Sequence, residues 1–349
     1  MSLLRLPVLF AVLASGAMPM LPASAASFDC KAASTPFEKA ICDNPALSDA
    51  DDILAKSFAT AMGGLTKKSE ALMRAEQRTW LDYAQSACTL TAKPMTSGSY
   101  EEDGVQCLVD TFTTRSAALE DSRMLGGHRF LLKSFYSVQP SVDAADPEGS
   151  FRKVSTHELT LAQLDADDVD AETFNAYVLE QGKLISDLET AKSPSDLDNS
   201  IDTEAKVAVD EVVGSTRITL DVSTYYYGHG APHGEYSISY LHYLLAEQRG
   251  LEASDIFTGD GWQKKLADIV YAQLTAERGE LLMVDNAEGI LDIVSDPTRW
   301  NFESDYGLEI QFEPYEIAAY AEGAPTAFLT WDKIAEITAP SLDRIRTGY

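Results

Sequence analysis

The sequence predicts an α+β protein: a small disulfide-stapled helical N-terminal domain, then a larger mixed α+β domain with antiparallel hairpins. Three observations carry this. All four cysteines, Cys30, Cys42, Cys88 and Cys107, lie in the first third of the chain. Apolar residues in that third recur every three or four positions, the period of a helix. Beyond about Gly127 cysteines vanish, and alternating runs separated by turn residues take over. The length of 349 residues suits two domains of roughly 100–200 residues each.

Residues 1–25 read as a cleavable secretory signal. Arg5 supplies the positive start, Leu6 to Leu13 the apolar stretch, and Ala23-Ser24-Ala25 the small residues before the cut. No cysteine follows the cut to take a lipid anchor, and no later stretch reaches the ~18 apolar residues of a membrane span. The expectation is a periplasmic or secreted protein with no membrane insertion after cleavage. An even cysteine count in an exported chain implies disulfides. Of the three connectivities, Cys30–Cys42 and Cys88–Cys107 are expected because both close short loops. No spacing is C-x-x-C and no histidine is near, which argues against metal.

In residues 26–124 the first helix enters at Ser34-Thr35-Pro36, with Glu38 in its first turn, and Asn44-Pro45 breaks it. Ile53, Leu54, Phe58 and Met62 mark the apolar side of a second helix. Leu72, Ala75, Thr79 and Tyr83 mark a third, widened by Trp80 and Leu81. After a loop at 96–104, Leu108, Phe112 and Leu119 line a fourth. So thin a bundle needs its disulfides, worth about 2–4 kcal/mol each.

The stretch FDCKAASTPFEKAIC, the pattern P-x-L-x-x-x-D, QRTWL with Cys88 downstream, and CL opening the last helix resemble the family of the lysozyme inhibitor LprI. The resemblance covers nearly all of residues 28–121. It implies a disulfide-stapled helical module associated with inhibiting lysozyme.

In residues 125–349, STRITLDVSTYYYGHG and HGEYSISYLHYLL read as two strands of a hairpin. Ile218, Leu220 and Val222 face one way, Thr219 and Asp221 the other. Helices are expected over DAETFNAYVLEQGKLISDL and DGWQKKLADIVYAQLTAERG, which argues for an α+β domain and against a regular parallel array. The run YYYGHGAPHGEYSISYLHYLL, then LEASDIFTGDGW, then YGLEIQFEPYEIAAYAEGAPTAFLTWDKI resemble the RsiV/PdaC-type extracytoplasmic domain of unknown function. With a weaker run from about 130, the likeness extends to 349. Members include an anti-sigma factor whose outer domain binds lysozyme and an extension of a peptidoglycan deacetylase. The membrane and catalytic parts of those proteins have no counterpart here.

Chemistry-bearing motifs are sparse. His229, His233 and Glu235 in GHGAPHGE are candidates for a metal, but the chain has no H-E-x-x-H helix. The competing reading is a hairpin loop whose glycines permit positive φ. No G-x-S-x-G or phosphate loop occurs. DNAEGILD and DADDVDAE lack the residue order of a calcium loop. No cofactor is implied. Tyr225, Tyr226, Tyr227, Tyr236, Tyr240 and Tyr243 suit core and interface equally.

With 27 basic against 55 acidic side chains the net charge is −28. This excludes a nucleic-acid binder, which needs a basic surface. The acidity is uneven: residues 26–124 carry 10 basic and 15 acidic side chains, residues 125–349 carry 16 and 40. Such a chain suits a basic partner. The sequence therefore predicts an exported, non-enzymatic envelope protein that inhibits a basic c-type lysozyme by covering its cleft. The partner-binding candidates are Tyr227, Gly228, His229, Gly230, Ala231, His233 and Gly234. The alternatives are an envelope accessory or sensing module that binds peptidoglycan fragments or a membrane partner, and a metal-dependent hydrolase centred on His229, His233 and Glu235.

Overall fold

The computed structural model describes residues 26–142 and 153–348; the expected signal at 1–25 lies outside them. Four helices come first: α1 (Pro36–Asp43), α2 (Pro45–Ala61), α3 (Lys67–Ala87) and α4 (Glu102–Glu120). Thr35 and Glu38 close a capping box on α1. The N–H groups of Thr35 and Ser34 donate to the Glu38 carboxylate and hold it down to about 2. Cys30–Cys42 and Cys88–Cys107 are both formed, with Cα separations of 5.7 and 5.5 Å. The second pair ties the end of α3 to α4, close to where the Trp80 ring meets Phe112 edge-on at 5.1 Å.

The buried stripe of α3 matches the expected one at Trp80 and Tyr83 but not at Leu72, Ala75 and Thr79. Met73, Glu76, Trp80 and Tyr83 point inward, while Leu72 is 38% exposed and Ala75 and Thr79 are exposed. A glutamate on the core side displaces the apparent apolar face by one residue. Ile53 on α2 is likewise exposed. The thin bundle does not rest on its disulfides alone, because Leu131, Tyr136 and Val138 from the following strand complete its core.

Seven strands then form one sheet in chain order: β1 (Met124–Leu125), β2 (His128–Pro140), β3 (Val154–Leu164), β4 (Ile201–Val213), β5 (Arg217–Gly228), β6 (Glu235–Leu244) and β7 (Arg249–Gly250). All neighbours are antiparallel except β3 and β4, which are joined through α5 (Val169–Ile185). Ile218, Leu220 and Val222 pack with Phe174 and Val178 of α5 on one face, as their alternation predicts. The opposite face is also buried over part of its area, because two units cover it.

The helical bundle covers it over β2 and β3. The second cover is a lobe of α6 (Ala253–Ile256), α7 (Trp262–Arg278), α8 (Leu291–Ser295), the antiparallel strands β8 (Trp300–Asn301), β9 (Gly307–Gln311) and β10 (Thr326–Thr330), α9 (Trp331–Ile334) and α10 (Leu342–Thr347). Its core is separate and surrounds Trp300, Leu308 and Phe312. Among the described residues no helix is long and apolar enough to cross a membrane.

Two carboxyls sit in the joint between bundle and sheet. Burial pushes Glu76 up to about 7, against the opposing pull of Arg115. It does the same to Glu158, whose acceptance of the Tyr83 hydroxyl at 2.7 Å acts the other way. Unfolded, each ionises near 4.5. Stability from keeping them protonated is therefore complete below about 4.5 and lost as pH rises through 7. Burial holds His157 and His242 low, and they act oppositely over part of this range, so the parent's curve alone is ambiguous. Relative to the parent, Glu76→Gln should gain thermal stability steadily between pH 5 and pH 8. A constant offset between the two melting curves would refute the assignment.

Candidate functional site

The expected loop closes the β5–β6 hairpin, whose register sets Tyr225 opposite Tyr236 and Tyr226 opposite Glu235. Gly230 takes φ +87°, which favours glycine. Ala231 N–H donates to Gly228 O at 2.9 Å, and the Tyr227 hydroxyl donates to Ala231 O at 3.3 Å.

The two loop histidines part company. The His229 side chain is 1% exposed; its Nδ1 lies 2.9 Å from Ser141 Oγ and its Nε2 3.3 Å from Asp202 Oδ1. Its backbone N–H continues the strand ladder by donating to Ser200 O. His229 thus anchors the hairpin from within and offers no ring to a partner. His233 is exposed and stacks on Tyr320 at 4.2 Å. The proposed metal set is not assembled: among the described residues no three His, Cys, Asp or Glu side chains come together as a metal site.

The acidic runs also have structural work. Asp165 accepts from Thr66 N and Oγ1 and from Ser69 Oγ, at 2.8, 2.6 and 2.6 Å. Asp168 caps α5 through Ala171 N.

What the structure adds is a second segment beside the loop. The stretch from Pro314 to Gly323 lies against it, and the Tyr320 hydroxyl donates to Gly234 O at 2.8 Å. Tyr320 also packs on Tyr315 at 5.4 Å and on Tyr236 at 6.3 Å. Tyr315 is 52% exposed and holds φ +70°, an uncommon state for a bulky residue. Arg299 fixes that turn from below by gripping both oxygens of Glu316, at 2.9 and 3.2 Å. Tyr225 and Tyr226 are also exposed, whereas Tyr240 and Tyr243 at the other end are buried. The hairpin tyrosines are thus graded along its length: Tyr240 and Tyr243 are core at the base, Tyr227 and Tyr236 are half-buried, and Tyr225 and Tyr226 are exposed towards the tip. Sequence reasoning noticed the Pro314-Tyr315-Glu316 stretch but did not place it in the site, because positive φ leaves no mark on a tyrosine.

Between the bundle and the lobe the same sheet face is acidic. Asp221 is pushed up to about 6, first by desolvation and then by Asp210 and Glu303, with Lys206 opposing and Asp121 adding. Those groups belong to sheet, lobe and bundle, so the acidic strip crosses all three.

Comparison with known proteins follows this division. Residues 30–119 match the family model described as Lysozyme inhibitor LprI. Residues 254–332 match the model described as Protein of unknown function (DUF3298). Both resemblances read from the sequence hold, the second over a shorter stretch that contains Tyr315 and Tyr320 but not the 228–234 loop. No curated protein matches the chain. Two solved members of the DUF3298 family are similar in part. One from Bacteroides fragilis is 15% identical, covering 62% of this chain and 95% of its own, with a TM-score of 0.43. One from Pseudomonas aeruginosa is 14% identical, covering 60% and 95%, with a TM-score of 0.39.

A Cβ at Gly234 would collide with the Tyr225 ring. Because the clash is with the far end of the exposed Tyr225 side chain, which can swing aside, Gly234→Ala should cost no more than about 1 kcal/mol of stability, below the usual range for overpacking a core. In a background where Tyr225 is already alanine, most of that loss should disappear. Additive losses in urea denaturation would contradict the contact.

Proposed function

We propose that the protein is exported and works in the bacterial envelope by binding and inhibiting a basic c-type lysozyme. The observation that carries this is the match of residues 30–119 to the lysozyme-inhibitor LprI model, with both disulfides of that unit formed. Charge supports it. A net charge of −28 attracts a basic protein over distance and speeds encounter.

Binding is occlusion and uses two surfaces. The acidic strip around Asp121, Asp210, Asp221 and Glu303 faces the partner's basic side chains. The tyrosine tip supplies contact area that water cannot replace, since tyrosine combines a large face with few rotors. Neither surface performs covalent chemistry, and no cofactor enters.

The test is inhibition of a c-type lysozyme acting on cell-wall substrate at low salt and at 0.15 M. Exposed charges are screened over about 8 Å at the higher salt, so inhibition that survives there reflects a fitted interface. Tyr315→Ala should then weaken inhibition about tenfold, the effect of a modest interface hot spot. Inhibition confined to low salt, or indifferent to Tyr315, would sink the occlusion model.

A further inference from the structure

A cavity of about 330 Å³ opens between α4 and the sheet, at the joint of bundle and strands. That lies at the small end of the roughly 300–1,000 Å³ typical of ligand sites. Arg115 of α4 forms part of its wall, facing Tyr136, Glu158 and Thr160 of the sheet, with Glu204 and Lys206 nearby. Arg115 is 2% exposed. Its Nε donates to Gln77 Oε1 at 3.2 Å, and its Nη1 donates to Ser134 Oγ at 3.2 Å and Tyr136 Oη at 3.0 Å. All three acceptors are neutral. Its Nη2 is buried and has no hydrogen-bond partner among the described residues.

A buried cation without a paired anion is costly. The neighbouring carboxyls offset that cost only in part: Glu76 and Glu158 both feel the Arg115 charge, but neither accepts a hydrogen bond from it, and burial pushes each up to about 7. A guanidinium with a free N–H beside a small cavity is the usual partner of a planar carboxylate. Glu204 is exposed and lines the same cavity, where it can accept from an ammonium. Lys206 is already engaged by Asp121 at 2.6 Å, which leaves Glu204 to set the preference.

We propose that this cavity binds a small zwitterion, with Arg115 holding its carboxylate and Glu204 its ammonium. Free amino acids and the ends of short peptides share that chemistry. The site is independent of the lysozyme reading and stands if that reading fails.

Calorimetric titration of the whole protein with alanine, alanyl-alanine, the C-terminal amide of each and N-acetylalanine decides it. At least one free acid should bind saturably, and its amide about tenfold more weakly. Glu204→Gln should lower the affinity of the zwitterion several-fold and leave N-acetylalanine unchanged; this exposed change is not expected to disturb folding. Arg115→Gln should abolish binding, but the ligand series holds even if that variant does not fold. Tighter binding of the dipeptide would identify a peptide end as the ligand, and tighter binding of alanine a free amino acid. An amide that binds as well as its acid, or no saturable heat from any of them up to about 10 mM, overturns the proposal.

Discussion

The sheet has one apolar face and one that mixes apolar with polar and charged side chains, and both are covered, by three separate pieces of chain. α5 lies on one face, while the bundle and the C-terminal lobe share the other. The bundle is fixed by its α2–α3 turn. Arg129 donates to the carbonyls of Ala61 and Gly63 at the end of α2, and Asp165 accepts from the first turn of α3. Burial works against ionised Asp165, but the bonds from Ser69 and Thr66 outweigh it and hold the carboxyl below its usual range. One cation at a helix end and one anion at the next helix start complement the orphan carbonyls and N–H groups found there. Two residues at neighbouring strand ends therefore set the position of the whole helical unit.

The two joints on that shared face differ in kind. At the lobe, Arg217 is fully buried and fully engaged. It donates to Ile345 O at 3.2 Å, to Glu211 Oε2 at 2.7 Å and to the Thr219 hydroxyl, and it lies over the Phe302 ring. Burial, and then Arg217 itself, lowers His242 to about 3, so that imidazole stays neutral and bonds Trp300 O at 2.8 Å. The joint has nothing left to give. At the bundle, Arg115 meets only neutral acceptors and a cavity lies beside it. A satisfied buried charge fixes a register, whereas an under-satisfied one is a reason to look for a ligand.

Much of this was legible in the sequence. Short loops made the cysteine pairs readable, and Leu108, Phe112 and Leu119 declared the inner side of α4. The hairpin was announced by the alternation of Ile218, Leu220 and Val222 on either side of a glycine-rich turn. What failed did so because polar residues were placed inside. Glu76 moved the apparent stripe of α3 onto Leu72, and buried His229 looked like a surface ligand. The parallel β3–β4 pair left no local signal, since pairing partners depend on the path of α5. The acidic run at 165–172, whose residue order is not that of a calcium loop, supplies two helix caps, a task its sequence did not declare. The C-terminal likeness was read over the whole second region, but its family model matches only 254–332, while the sheet that both matched units rest on, from Met124 to Gly250, lies wholly outside either match.

Net charge alone cannot select a partner, because every basic protein is drawn to an acidic one. Selection has to come from a surface whose shape is set in advance. The tyrosine tip meets that condition. Tyr315 is held at a backbone angle it would not adopt freely, and the Arg299–Glu316 grip keeps it there. Tyr320 is locked between the Gly234 carbonyl and the His233 ring. Side chains already ordered before contact lose little further entropy on binding, so more of their buried area appears as affinity. A strained residue persists only where surrounding structure over-determines it, and such residues gather at working surfaces. At Tyr315 the strained turn lies beside the Tyr320 ring, which is itself tied to the Gly234 carbonyl, so the strain holds an exposed aromatic face in place against the hairpin loop.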